Sequence, residues 1–291
     1  MSSNPPNTDL AQDDLERLQK LKEAYDEVRT RIGTVVVGQD EVVENLLVAI
    51  FAGGHCMLEG VPGLAKTLLV QTLSQCLSLS FARIQFTPDL MPSDITGTEV
   101  MQEDRASGRR EFKFLRGPIF NNIVLADEIN RTPPKTQAAL LEGMQERQVS
   151  AAGTRHELPR PFFVLATQNP IEQEGTYPLP EAQLDRFLLK VVLEYPDRDV
   201  EREVYRRFTI EPPESPQPVI GADEILAAQE LVRRIPMSDL VLEYALSIVR
   251  ATRAGDAGTP DFVANWVMIG AGPRGGLSIL TAAKARAALQ G

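Results

Sequence analysis

The spacing of hydrophobic residues changes twice along the chain. Aliphatic side chains first recur every three or four positions over 11–31 and 39–52, which predicts two amphipathic helices, the first of them ending at Gly33. Short apolar runs then alternate with helical segments, a pattern typical of a mostly parallel sheet covered by helices. These runs predict strands at 56–58, 83–86, 123–126, 162–166 and 187–193, with helices at 66–79 and 133–147.

Two polar-tipped segments, 99–115 and 148–158, interrupt this alternation. Each has strand-like arms around a turn that contains glycine, which predicts a β-hairpin inserted into the α/β core. After Pro196 the spacing becomes helical, with prolines crowded into 211–218 and helices expected at 222–234, 238–254 and 277–290. We therefore expect a disordered tail at 1–10, an N-terminal helix at 11–33, the α/β core at 34–196, a linker at 197–218 and a small all-helical domain at 219–291.

Composition and charge argue against nucleic-acid binding, secretion and a membrane span. Forty acidic residues against thirty basic ones give a net charge of -10, which argues against a protein that binds nucleic acid through its phosphates. The N-terminal segment lacks the basic and apolar regions of a secretory signal, and no run approaches the roughly 18 apolar residues of a membrane span. We therefore expect a cytoplasmic protein without a membrane span.

Cysteines and histidines predict no metal centre. The chain has two of each, and their spacing is not that of metal ligands. His55 and Cys56 are adjacent in an expected strand, so their side chains should point to opposite faces. We expect Cys56 and Cys76 to be reduced and buried.

The segment between the first strand and the following helix has the strongest chemical signal. Residues 60–67 include the glycines, lysine and threonine of a phosphate-binding loop in the required strand-to-helix position. Backbone N–H groups would bind phosphate, Lys66 would neutralise phosphate oxygens and Thr67 would bind Mg²⁺. The expected nucleotide-binding residues are Gly60, Pro62, Gly63, Leu64, Ala65, Lys66, Thr67 and Leu68.

Ala65 departs from the usual loop pattern, which has a second glycine at this position. Alanine is the smallest replacement and can adopt helical dihedral angles at a helix start, so we expect it to be tolerated. When the loop is considered alone, a glycine-rich turn without a ligand stays open as an alternative.

Polar residues follow two of the expected strands. Asp127 and Glu128 end the run at 123–126, and Asn169 follows the run at 162–166. Because the carboxyl ends of parallel strands line a ligand crevice, we expect these side chains beside the phosphate loop. Asp127 would hold Mg²⁺, and Glu128 with Asn169 would orient the water that attacks the γ-phosphate. The alternative is an acidic strand exit and an ordinary turn asparagine.

Two arginines are candidates for stabilising charge on the transferred phosphoryl group. Arg186 precedes the last expected strand and is a candidate arginine finger, a residue often supplied by a neighbouring subunit. Arg274 opens a helix in the expected helical domain and could reach the nucleotide from there. The alternatives are a surface ion pair with Asp185 for Arg186 and a helix-start residue without a function for Arg274.

Taken in this order, the motifs resemble those of AAA+ ATPases, and the residues within them are similar to those of the MoxR family. The resemblance covers roughly residues 30–290, and alanine at position 65 is usual for this family. It rests on the segments 60–67, 87–97, 126–131, 140–146, 166–170, 179–187 and 270–275.

The resemblance implies a P-loop AAA+ core with ATP and Mg²⁺, followed by a helical lid. It also implies a ring, usually hexameric, with Arg131 and Glu142 near the subunit interface and both hairpins toward the pore. Val36 and Val37 match the segment that contacts adenine. Partners in the family are often proteins with a von Willebrand factor A domain. Lids of the family usually extend beyond the position of Gly291, so we expect a truncated lid, either natural or due to a fragment.

The leading hypothesis is therefore a ring-forming ATPase that drives chaperone-like remodelling or maturation of a partner protein complex. One alternative is an ATP-gated scaffold with little turnover, suggested by the early end of the lid. A magnesium-chelatase-like motor subunit also stays open. A nucleic-acid motor fits less well, because the local basic cluster in the first hairpin is small. That cluster consists of Arg105, Arg109, Arg110 and Lys113.

Overall fold

A computed structural model describes residues 12–103, 110–151, 153–170, 175–209, 214–256 and 259–291. The tail expected at 1–10 and the tip of the first expected hairpin lie outside these residues. The helices are α1 (Gln12–Val35), α2 (Asp40–Ala52), α3 (Lys66–Cys76), α4 (Pro92–Thr96), α5 (Pro134–Glu146), α6 (Glu181–Leu184), α7 (Arg198–Phe208), α8 (Ala222–Arg234), α9 (Asp239–Ala251), α10 (Asp261–Trp266) and α11 (Pro273–Gln290). The strands are β1 (Cys56–Glu59), β2 (Phe81–Gln85), β3 (Gly97–Glu103), β4 (Arg110–Arg116), β5 (Ile123–Asp127), β6 (Gln148–Ala151), β7 (Thr154–Glu157), β8 (Phe163–Gln168) and β9 (Leu189–Val192).

Five parallel strands form the central sheet, in the order β2–β5–β8–β1–β9. Helices cover both faces, and successive side chains of each strand enter different buried layers. On β1, Cys56 and Leu58 face the layer that includes α1, α2 and α3, whereas Met57 faces the layer that includes α5. Cys56 and Cys76 are both buried and free, as expected. The α/β fold with a parallel sheet is confirmed.

Tertiary burial moves several helix ends away from the positions that the sequence predicts. α1 continues through Gly33 to its end at Val35, so the prediction that Gly33 ends this helix is wrong. Ile32 and Val35 are buried on either side of this glycine, and their burial outweighs its low helix propensity. α3 ends at Cys76 rather than at position 79, and α7 lies inside the stretch expected as a linker. The short helices α4, α6 and α10 were not predicted.

Two antiparallel hairpins lie outside the central sheet, as predicted. β3 pairs with β4, and β6 pairs with β7. The hairpins contact each other, because Phe114 of β4 stacks on His156 of β7 with ring centroids 4.2 Å apart. The ring of Phe120 packs edge-on against both of these rings. This aromatic contact holds the bases of the two hairpins together.

The helices after the proline-rich stretch pack on the N-terminal helices. α11 contacts α1, α2, α8 and α9, and Ile225 of α8 and Leu289 of α11 lie in the same buried layer as α1 and α2. Arg234 also forms an ion pair of 2.8 Å with Asp14 of α1. The division into a core at 34–196 and a helical domain at 219–291 stays a prediction. Within the described part of the chain, none of the helices is long and apolar enough to span a bilayer.

His55 connects three elements of the core. Its Nδ1 accepts a hydrogen bond from the backbone N–H of Val164 in β8 at 3.1 Å, so Nε2 holds the proton and donates to the carbonyl of Met144 in α5 at 3.2 Å. Burial lowers the pKa of His55 to about 4, because the charged ring would lose its hydration. The hydrogen bond to Met144 opposes this shift of the pKa, and the charge of Arg147 adds to it. A neutral imidazole is therefore part of the folded core.

We expect this histidine to make the fold sensitive to mild acid. The unfolded imidazole binds a proton near pH 6.5 and the folded one only near pH 4, so unfolding takes up a proton between these values. The free energy of unfolding should therefore fall by about 3 kcal/mol as the pH is lowered through this range. Chemical denaturation of the wild type and His55→Gln at several pH values measures this slope.

The His55→Gln variant should be less stable at pH 7 and should show a flatter pH dependence than the wild type between pH 6.5 and 4. Ile123→Val, which trims a buried side chain of β5 without changing a titratable group, is the matched control and should keep the wild-type slope. Equal slopes for the wild type and His55→Gln would contradict this account of His55.

Candidate functional site

The segment between β1 and α3 forms a tight loop at the carboxyl edge of the sheet. Gly60 follows β1 at a point where a Cβ would lie 2.8 Å from Cβ of Leu193. Gly63 has a φ of +89°, which glycine adopts without strain. These glycines let the chain turn back to the N-terminus of α3, where backbone N–H groups without helical partners suit a phosphate.

Ala65, immediately before α3, has left-handed dihedral angles, with φ 52° and ψ 28°. We expected ordinary helical angles at this residue, and that expectation is wrong. A left-handed conformation costs a residue with a Cβ about 1 kcal/mol. This cost explains why the general loop pattern has glycine here, and the small methyl group of Ala65 is a mild departure from it.

The side chain of Lys66 folds back onto its own loop. Its Nζ donates a hydrogen bond to the carbonyl of Gly60. Partial burial lowers the pKa of Lys66, whereas the carboxylates of Asp127 and Glu128 oppose the shift because they favour the charged ammonium. The ammonium therefore lies where it can exchange a carbonyl oxygen for a phosphate oxygen.

The ends of β5 and β8 position both acidic residues through a threonine. Oγ1 of Thr167 donates to Oδ1 of Asp127 at 2.6 Å and accepts from the backbone N–H of Glu128 at 2.8 Å. Glu128 has a φ of +58°, which is strained for a residue with a side chain, and the hydrogen bond that its N–H donates to Thr167 helps to stabilise this conformation. Sequence reasoning missed Thr167, whose role depends on the pairing of β5 with β8.

Arg83 and Gln85 of β2 complete this acidic cluster, and sequence reasoning missed both. Arg83 donates to Oδ2 of Asp127 from Nε at 3.1 Å and from Nη2 at 2.6 Å. Nη2 also donates to Oε1 of Gln85 at 2.6 Å, and Nε2 of Gln85 donates to Oε2 of Glu128 at 2.8 Å. Arg131 forms an ion pair with Glu128 at 3.2 Å. Strand alternation, which puts positions 83 and 85 on one face, was the available signal.

One cleft of about 370 Å³ collects these groups. Asn169, which is buried, lines it from the end of β8. The structure thus places the phosphate loop, both carboxylates and Asn169 around one space at the carboxyl edge of the sheet. The lining residues are Pro62, Gly63, Leu64, Ala65, Lys66, Thr67, Arg83, Asp127, Glu128 and Asn169.

Five of the residues expected to bind the nucleotide lie outside the lining of this cleft, namely Gly60, Val36, Val37, Leu68 and Arg274. Val36 is buried after α1, and Val37 and Leu68 are half-buried. Nε2 of Gln39 donates to the carbonyl of Leu64 at 3.1 Å. This bond fixes the valine segment next to the phosphate loop, where it could extend the site.

Arg186 and Arg274 meet in a second cavity, of about 220 Å³. Neither lines the cleft of the phosphate loop in its own chain. The ion pair between Arg186 and Asp185 is not observed, although Asp185 lines the same cavity. With respect to the residues that the structure describes, both arginines are without an ion pair.

The donor set of the cleft fits Mg²⁺. Thr67 and Asp127 supply hard oxygen atoms, and both line the cleft. The described residues contain no group of three or more His, Cys, Asp or Glu side chains that could hold a metal ion. Mg²⁺ needs no such cage, because it keeps several waters and is usually held by one or two protein ligands together with phosphate oxygens.

Comparison with known proteins agrees with this geometry. Residues 55–189 match a family model described as "ATPase family associated with various cellular activities (AAA)". Over 88% of its length the chain is 46% identical to Chaperone MoxR1 of Mycobacterium tuberculosis, and the match covers 67% of that protein. The chain belongs to the MoxR family of AAA+ ATPases.

Two further relatives match this MoxR-family chain over a similar part of its length. YeaC, an uncharacterized protein of Bacillus subtilis, is 44% identical over 89% of the chain and 77% of its own length. Protein MoxR of Methylorubrum extorquens is 33% identical over 89% of the chain and 79% of its own length. A crystal structure of a Cytophaga hutchinsonii protein, described as a candidate ATPase, matches with a TM-score of 0.86 at 43% identity and covers 96% of this chain and 83% of that one.

Membership in the MoxR family supports ATPase activity in general. AAA+ ATPases bind nucleotide, usually with Mg²⁺, and typically form oligomers. The family also shows the fold class, an AAA+ α/β core followed by helices. This MoxR-family chain is therefore AAA+ in both fold and family.

We expect Ala65→Gly to be tolerated without loss of stability. Glycine removes the strain of the left-handed conformation, but its greater freedom in the unfolded chain offsets part of this gain, so the free energy of unfolding should stay level or rise by up to about 1 kcal/mol. Thermal or chemical denaturation measures the change, and binding of a fluorescent ATP analogue should be retained.

Ala138→Gly is the matched control for this substitution. Ala138 is exposed in the middle of α5, where right-handed helical geometry favours alanine, so the same chemical change should cost about 1 kcal/mol. If both variants lose stability equally, the left-handed geometry of Ala65 is refuted.

Proposed function

We propose that this chain is a Mg²⁺-dependent ATPase that works as a ring-shaped homo-oligomer, hexameric as in its family, and drives chaperone-like remodelling or maturation of a partner protein complex. The observation that supports it most is the single cleft where the phosphate loop, Lys66, Asp127, Glu128 and Asn169 meet. Phosphate binding, metal ligation and activation of water need these groups in one place, because catalysis of phosphoryl transfer depends on positioning and on charge stabilisation.

The phosphate loop and Lys66 bind the phosphates of ATP. Backbone N–H groups at the start of α3 donate to phosphate oxygens at the positive end of the helix dipole. Lys66 exchanges its bond with the Gly60 carbonyl for a bond with a phosphate oxygen. Thr67 and Asp127 hold Mg²⁺, which when bound neutralises charge on the phosphates.

Val36 and Val37 contact the adenine in this proposal. The bond from Gln39 to Leu64 supports it, because it keeps the valine segment beside the phosphate loop. Leu68 contributes from the first turn of α3, next to the residues that bind the phosphates.

Glu128 and Asn169 orient the water that attacks the γ-phosphate. The Glu128 carboxylate accepts a proton from the water as the water oxygen bonds to the γ-phosphorus. The bond between the γ-phosphorus and the β–γ bridging oxygen breaks, and that oxygen leaves with ADP. The amide of Asn169, buried at the edge of the cleft, hydrogen-bonds the water and senses the γ-phosphate. Gln85 and Arg131 both contact Oε2 of Glu128, so this oxygen exchanges a partner for the water if it acts as the base.

Arg186 and Arg274 complete the site of a neighbouring subunit. Their shared cavity is separate from the cleft of their own phosphate loop, which favours action between subunits over action within one subunit. Neither arginine has an ion-pair partner among the described residues, so each guanidinium is available for phosphate oxygens. Hydrolysis then depends on assembly of the ring.

The partner is a protein rather than a nucleic acid. The net charge of -10 is unfavourable for binding phosphate backbones. In the first hairpin, Arg110 pairs with Glu103 at 3.6 Å, and Arg116 lies over the ring of Phe120. The same hairpin exposes Met101 and Phe112, which suit contact with a protein client. A protein with a von Willebrand factor A domain is the proposed partner, by analogy with the family.

Two single variants test the chemistry. Glu128→Gln should bind ATP with near wild-type affinity and lose about 100-fold or more in turnover, because the base is absent. Arg186→Ala should also keep nucleotide affinity and lose turnover, because the charge on the transferred group is no longer stabilised. Turnover is measured by phosphate release and affinity with a fluorescent ATP analogue.

Mixing the two variants tests action between subunits. An Arg186→Ala protomer keeps Glu128, and a neighbouring Glu128→Gln protomer can supply the missing Arg186. In an equimolar mixture about one quarter of the sites have both residues, so about one quarter of wild-type turnover should return. Absence of any recovery, in mixtures shown to co-assemble, would place Arg186 outside the neighbour's site. Near-normal turnover of Glu128→Gln alone would remove Glu128 from its role.

A further inference from the structure

Three exposed arginines from three separate elements lie close together, away from the nucleotide cleft. Arg147 follows α5, Arg160 lies just before β8, and Arg233 lies near the end of α8. Arg147 and Arg160 line one small notch together with Gln229 of α8. Arg233 is one turn further along the same face of α8 than Gln229. We call these three residues the arginine cluster.

The positive charge of the arginine cluster has no carboxylate partner within the described part of the chain. None of its guanidinium groups forms an ion pair there, although Glu230 lies one turn from Arg233 on α8. Partial loss of hydration lowers the pKa of Arg147, and the charges of Arg160 and Arg233 lower it further. Nζ of Lys284 donates to the carbonyl of Arg233 at 3.2 Å and adds a fourth positive charge.

Other exposed arginines of this chain do have carboxylate partners. Arg17, Arg202 and Arg207 each pair with an acidic residue of their own helix, at 2.7, 3.2 and 2.7 Å. With a net charge of -10 the chain has acidic residues to spare, yet none neutralises the arginine cluster among the described residues. Because like charges repel each other, an anion that binds all three guanidinium groups would relieve this repulsion.

The shape of the arginine cluster favours an extended ligand. The notch has a volume of about 10 Å³, which admits no more than one water, so an anion has to lie across the arginines rather than between them. Guanidinium groups bind carboxylates through two parallel hydrogen bonds. Leu226, which is half-buried, borders the notch and offers an apolar contact beside the charges. A protein segment with several carboxylates matches these features.

A nucleic acid fits the arginine cluster less well. The charges of duplex DNA continue at intervals of about 1.7 Å beyond so small a site, where the surplus of acidic residues in this chain repels them. Phe162, the aromatic side chain at the notch, is buried and cannot stack on a base. A short acidic protein segment contacts the arginines without meeting the rest of the acidic surface.

We propose that Arg147, Arg160 and Arg233 form a docking surface for an acidic segment of a partner protein. The inference rests on the proposed function for the class of partner, a protein. It adds a surface that shares no residue with the lining of the nucleotide cleft, so docking and nucleotide binding can be measured separately.

The test measures binding of an acidic peptide to the full chain. A fluorescein-labelled hepta-glutamate peptide is titrated with the protein, and its fluorescence anisotropy gives the dissociation constant. The triple variant Arg147→Gln, Arg160→Gln, Arg233→Gln should bind the peptide about tenfold more weakly, because three exposed ion pairs are lost. Binding by the wild type should also weaken as salt is added, since salt screens exposed charges.

A triple substitution of paired arginines is the matched control. Arg17→Gln, Arg202→Gln, Arg207→Gln changes the net charge by the same amount but removes arginines that have carboxylate partners. It should lose less than about twofold in peptide affinity. Both triple variants should bind a fluorescent ATP analogue as the wild type does, which shows that they are folded. If the first triple variant does not fold, the double variant Arg160→Gln, Arg233→Gln should still lose about fivefold in peptide affinity.

Four outcomes would contradict an account that includes this docking surface. Equal losses in both triple variants, or no peptide binding by the wild type, overturn the proposal. An oligodeoxythymidine that binds more tightly than the peptide through the same arginines would assign the surface to nucleic acid instead. A changed oligomeric state of the first triple variant alone, measured by analytical ultracentrifugation, would assign it to a contact between copies of this chain. Failure of the wild type to bind the ATP analogue, with peptide binding retained, contradicts the proposed function and leaves the docking surface standing.

Discussion

The pairing of β5 and β1 with β8 in parallel is the constraint on which the site depends. It brings the carboxyl ends of three strands to one edge of the sheet, and each end leads into a segment of the candidate site. The phosphate loop follows β1, the two carboxylates end β5, and Asn169 follows β8. A slip of one residue in either register would turn the side chains of that strand to the opposite face and separate the groups.

Electrostatic balance in the cleft follows from this convergence. Two carboxylates, Asp127 and Glu128, lie close together, and three cationic side chains contact or approach them. Arg83 and Arg131 form ion pairs with them, and Lys66 lies near both. An incoming cation or phosphate can therefore take the place of one of these existing partners. The charges of the cleft are then compensated both before and after binding.

The sequence predicts the local features of this site well, because they depend on residues close together in the chain. The strand-to-helix loop at 60–67 and the acidic strand end at Asp127 were placed correctly from apolar runs and spacing. Features that depend on strand order were missed, since nothing in the sequence states that β2 is the neighbour of β5. From the sequence alone, Arg83 and Gln85 are therefore indistinguishable from ordinary strand residues, and only the strand order shows that they contact the carboxylates.

Two further errors have the same physical origin. Gly33 lies inside α1 because burial of its neighbours outweighs local propensity, and Ala65 takes the left-handed conformation because the loop geometry requires it. Tertiary packing decides both positions, and neither requirement is visible in a window of sequence.

The most direct test of the central claim is the specific ATPase activity with Mg²⁺ across a protein concentration series. If the site is completed between subunits, activity per protomer rises with concentration and reaches a plateau as the ring assembles. Activity that is low and flat at every concentration, together with tight ATP binding, would contradict the account and favour a nucleotide-gated scaffold.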